Sequence, residues 1–174
     1  MIEDRGWYFA GAVAAVLVAA VLVRFGLDGR GIVAAYVVAV LVVLSRIDLR
    51  ERRLPNRIVL PSAAAVLAAQ IVLDPGRALE WTIAALGAAL FLFVPLLVYP
   101  AGMGMGDVKL ALLLGAALGR PVILALALGF LSSFVLAIGL IMLRGLAARK
   151  TMIPFGPFLA FGAIVALLLG GPDA

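Results

Sequence analysis

The chain has 174 residues, 66% of them hydrophobic and 13% charged, with a formal charge of +5 at pH 7. That balance excludes a soluble domain, whose core could not hide so much apolar surface, and the length fits one membrane domain, residues 1–174. There is no cysteine and no histidine, which excludes disulfides, thiolate catalysis and Cys/His zinc sites.

Apolar runs occur near residues 7–25, 31–47, 57–73, 79–99, 107–119, 121–143 and 154–170, separated by Gly, Pro or charge clusters. A crossing helix needs roughly 20 apolar residues, so the expectation is an all-α, polytopic membrane protein of about seven transmembrane helices. The first run follows acidic residues and lacks a small-residue cleavage signal, and it reads as a retained span. Pro55 disfavours a helical Leu54, so the second helix is expected to project to about Arg53. That places Asp48 near the membrane–water boundary. The fifth run is the shortest, reaching only about 20 Å at 1.5 Å per residue. It extends back through the Gly-rich stretch before it, or it is re-entrant.

The basic residues settle the expected orientation. With seven crossings and a cytoplasmic N-terminus, Arg5, Arg46, Arg50, Arg52, Arg53, Arg57, Lys109, Arg144, Arg149 and Lys150 lie inside, ten of the fourteen basic residues. Arg24, Arg30, Arg77 and Arg120 lie outside. Lys/Arg excess marks the cytoplasmic side, so the charge is topology information, with membrane lipid and not nucleic acid as its partner. If the fifth run did not cross, the Arg144–Lys150 cluster would face outward.

Of nine carboxylates, seven fall in loops or tails where a solvated charge is expected. Asp48 and Asp107 instead sit at the edges of apolar runs, where a carboxylate is costly unless neutralised, paired or wet. Both fall on the cytoplasmic side although 59 residues separate them. Each has a plain structural alternative: Asp48 as the ion-pair partner of Arg46, Arg50 or Arg52, and Asp107 as a helix N-cap. The stretch Gly102-Met103-Gly104-Met105-Gly106-Asp107-Val108-Lys109 weighs on the chemical side. Gly104 and Gly106 leave backbone uncovered, and irregular backbone at membrane depth is tolerated where it is buried in protein or lines a watery cavity. Such a wall beside an acid suits an extended peptide. Without histidine there is no HExxH metalloprotease and no Ser–His protease, and Ser132 and Ser133 fall mid-helix, far from Lys109 or Lys150. An aspartate pair remains, and it calls for no metal and no cofactor.

The segment Ile47-Asp48-Leu49-Arg50-Glu51-Arg52-Arg53-Leu54-Pro55-Asn56, with Gly104-Met105-Gly106-Asp107-Val108-Lys109, resembles the two signature regions of type IV prepilin peptidases, membrane aspartic proteases of the GxGD type. The run Ile153-Pro154-Phe155-Gly156-Pro157-Phe158 is similar to a stretch near the C-terminus of bacterial members, and the likeness spans roughly residues 40–168. The resemblance implies that Asp48 and Asp107 are the catalytic pair, with Pro55, Asn56, Gly104, Gly106 and Lys109 in support. It implies a substrate class too: pilin-like precursors, whose short basic leader is cut at the cytoplasmic membrane face. Many members also carry a paired-cysteine region and N-methylate the new amino terminus. With no cysteine, this chain resembles the short, protease-only forms, which puts the methylation activity in question.

Two other classes stay open. In a small proton-coupled transporter the acids would relay protons, nearer the midplane and within paired repeats of broken helices. In a structural subunit of a pilus or secretion assembly, Asp107 would be a cap alone.

Overall fold

The structure, a computed structural model, describes residues 2–99, 103–144 and 154–170. Gly102, Arg149, Lys150 and Ile153, used above, lie outside the described residues, as do the side chains of Arg5 and Arg144. The described chain is all helical: α1 Ile2–Phe25, α2 Gly29–Glu51, α3 Asn56–Leu73, α4 Ala78–Val98, α5 Met105–Leu118, α6 Val122–Arg144 and α7 Gly156–Leu169, with a 3-10 turn at Pro75–Arg77. Five helical stretches, belonging to α1, α2, α3, α4 and α6, are long and apolar enough to cross a membrane.

Helix ends follow local chemistry. Asp28 starts α2, its Oδ1 accepting the Gly31 N–H at 2.8 Å, as an N-cap carboxylate does for an otherwise orphaned donor. Pro55 is the N-cap of α3, and Pro157 lies in the first turn of α7, where a missing N–H costs nothing.

The short α5 is the centre of the bundle. Its 14 residues reach about 21 Å at 1.5 Å per residue, short of a hydrocarbon core of about 30 Å. It is apolar nearly all round because protein surrounds it: Leu110, Leu113 and Leu114 are at most 1% exposed. α5 packs chiefly on α4 and α3, α7 on α6 and α2, and α1 on α2. Lipid offers no hydrophobic drive between helices, so small residues that allow close packing matter more. A Cβ on Gly115 of α5 would collide with the Ala84 carbonyl of α4, and one on Gly162 of α7 with the Ala125 carbonyl of α6. This packing brings the C-terminus of α2 and the N-termini of α3, α5 and α7 to one end of the bundle.

Candidate active site

Asp48 lies in the last turn of α2. The helix ends at Glu51, two residues short of the expected Arg53, because Arg52 turns left-handed (φ 52°, ψ 37°) and returns its N–H to the Asp48 carbonyl at 2.8 Å. That conformation costs a non-glycine residue roughly 1–2 kcal/mol, and it turns the chain toward Pro55. The Asp48 side chain is only 6% exposed. Of the arginines weighed as its partners, Arg46 turns to α1, where its guanidinium lies against Gly6, and Arg50 and Arg52 are exposed. Asp48 Oδ2 instead accepts the main-chain N–H of Gly156, the first residue of α7, at 3.0 Å.

Asp107 is 9% exposed. The alternative that makes it an N-cap is corrected in position: Gly104 is the N-cap and Asp107 the third helical residue. Asp107 Oδ2 accepts the Gly104 N–H at 3.2 Å, and the Asp107 N–H donates to the Gly104 carbonyl at 3.1 Å. The carboxyl group therefore does cap the helix, through one oxygen. Both acids, far apart in sequence, are buried at the same end of the bundle, where Asp48 meets the start of α7 and the first turn of α5 abuts Leu54.

The supporting residues gather at the same end. Lys109 Nζ donates to Asn56 Oδ1 at 2.8 Å, joining α5 to the start of α3. Gly106 faces Leu54: an added Cβ would lie 2.9 Å from Leu54 Cβ. Its small size thus also serves the docking of the α2–α3 loop. Gly104 is exposed beside Asp107. Pro55 enters only as the cap that turns the loop into α3. Gly156 went unremarked as a site residue. Its neighbourhood is visible as the run Pro154-Phe155-Gly156-Pro157, of which Pro157 lies in the first turn of α7 and Pro154 stands before it.

Two hollows lie away from this pair. One of about 60 Å³, lined by Gln70, Trp81 and Ala117 among others, sits at the opposite end of the bundle. The other is an apolar groove of about 740 Å³ between α4 and α6. Among the described residues no group of three or more Asp, Glu, His or Cys could hold a metal ion.

The model of the type IV leader peptidase family matches residues 35–143, more than half of the chain and including both aspartates. The chain belongs to the type IV leader peptidase family. Among its relatives, a prepilin leader peptidase/N-methyltransferase of Bacillus subtilis is 33% identical over 165 residues, covering 91% of this chain and 64% of that protein. Proteins of the same name from Burkholderia pseudomallei (32%, covering 90% of this chain and 52% of the relative) and Aeromonas salmonicida (37%, 82% and 51%) are similar to it. The chain thus spans about half to two thirds of the length of these relatives. No solved structure gave a significant match.

Proposed function

We propose that this chain is an aspartic endopeptidase that removes the short basic leader from pilin-like precursors at the cytoplasmic face of a prokaryotic membrane, with Asp48 and Asp107 as its catalytic pair. One observation carries it: the two carboxylates, 6% and 9% exposed, are buried at the same end of the helical bundle. Family membership supports the substrate class. The basic residues Arg46, Arg50, Arg52, Arg53, Arg57 and Lys109, which cluster at this end of the bundle, favour its cytoplasmic placement.

Two carboxylates in one site do not both ionise readily, so one holds a proton while the other is charged. The ionised aspartate draws a proton from a water, whose oxygen attacks the scissile carbonyl carbon. The protonated partner donates to the carbonyl oxygen; as the tetrahedral intermediate collapses, the departing amine takes the proton drawn from water and the intermediate's hydroxyl returns one to the partner. Exposed Gly104, with no side chain, leaves room beside Asp107 for the substrate chain to approach. The proposal covers peptide cleavage and not N-methylation, because the paired cysteines associated with that activity are absent from these 174 residues.

A proton relay or a purely structural role would leave a precursor intact. The test is to incubate purified protein in detergent with a pilin-like precursor and sequence the new amino terminus. Cleavage directly before the hydrophobic segment is expected; an uncut precursor contradicts the proposal.

A further inference from the structure

The start of α7 does more than pack. The Gly156 N–H and Asp48 Oδ2 form a buried hydrogen bond of 3.0 Å between residues 108 apart in sequence. A Cβ on Gly156 would stand 2.8 Å from that same oxygen, 3.3 Å from Asp48 Cγ and 3.4 Å from Asp48 Cβ. The main chain therefore grips the carboxylate, and the missing side chain is what leaves room for it.

The donor is itself held in place. Pro157 supplies helical φ in the first turn of α7. The Phe155 ring lies 5.1 Å from that of Phe130 in α6, which meets Phe91 of α4 edge-on at 6.1 Å. Two neighbouring helices thus brace the peptide group that reaches Asp48. An aspartate's terminal torsion is broad, so a carboxylate without such a donor would sample many orientations.

We propose that Gly156 is the positioning residue of Asp48. Its N–H holds Oδ2, so that Oδ1 is presented to the attacking water and to Asp107, a role that rests on the peptidase function proposed above. Reacting groups misplaced by even an ångström lose much of their rate. No residue with a side chain serves at position 156 without moving the carboxylate or α7.

The test compares Gly156→Ala with Gly129→Ala, whose new Cβ presses on the α7 backbone at Leu159, 3.2 Å away, without touching Asp48. Gly156→Ala is expected to lower kcat roughly tenfold to a hundredfold while KM changes less than about twofold. Gly129→Ala is expected to lower thermal stability and keep kcat per folded molecule. The infrared carboxyl band of Asp48, assigned by its loss in Asp48→Asn, should move in Gly156→Ala and stay in Gly129→Ala. If Gly156→Ala does not accumulate, the Gly156 amide resonance of otherwise unchanged protein should be displaced by Asp48→Asn. An unmoved band or resonance overturns the inference, and so does a moved band with unchanged kcat. A moved band in a protein that never cleaves precursor would uphold the grip on Asp48 and sink the peptidase function instead.

Discussion

Lys109 Nζ donates to Asn56 Oδ1 across 2.8 Å, and that contact ties the helix bearing Asp107 to the chain that follows Asp48. Removing either partner should loosen this end of the bundle without removing a catalytic group. Lys109→Met, which keeps the apolar stem, is expected to cost about 1 kcal/mol, or about 2–4 °C in Tm for a chain of this size. Asn56→Ala should cost a similar amount, and the double variant little more, because the pair shares one interaction. Thermal unfolding in detergent checks this; full additivity would mean that the two residues act separately.

Gly106→Ala would drive a Cβ to within 2.9 Å of Leu54 Cβ and lift the α2–α3 loop from α5. Cleavage is expected to fall roughly tenfold, as for a modest misplacement of a catalytic group. Removing the obstacle with Leu54→Gly, which deletes that Cβ, should recover part of it. Initial rates on a precursor peptide measure both, and a double variant no faster than Gly106→Ala would mean that the glycine serves something other than loop docking.

At the far end of α2, Asp28→Ala removes the Oδ1 that receives the Gly31 N–H at 2.8 Å. The expected loss is about 1 kcal/mol of stability. Turnover per folded molecule should be unchanged, since the cap lies a whole helix from Asp48. Paired measurements of Tm and kcat distinguish this from a catalytic effect.

A pair that must share one proton works only between two titrations. In acid both carboxyl groups hold protons and neither can take one from water. In base neither can donate to the carbonyl oxygen. The kcat/KM of cleavage is therefore expected to fall on both sides of an optimum, and a flat acid limb would contradict a shared proton.

The helices were legible because each apolar run is bounded by Gly, Pro or charge: the run near 57–73 became α3 Asn56–Leu73 and that near 121–143 became α6 Val122–Arg144. Asp48 and Asp107 stood out because acids at the edge of lipid are costly. The grip of Gly156 on Asp48 was not legible, because a main-chain N–H has the same chemistry in nearly every residue and only the fold decides where it points. Gly106 is ambiguous for a related reason. A glycine marks a place where a side chain is unwelcome, without saying whether substrate or Leu54 fills the space. The early stop of α2 depends on Arg52 adopting positive φ, which propensity does not favour.

The central claim is tested most directly by Asp48→Asn and Asp107→Asn, each nearly isosteric with the residue replaced, assayed separately on a co-expressed pilin-like precursor while membrane insertion is monitored. Each variant is expected to insert and to leave the precursor uncut. Full processing by either one would remove that aspartate from the chemistry and contradict the paired mechanism.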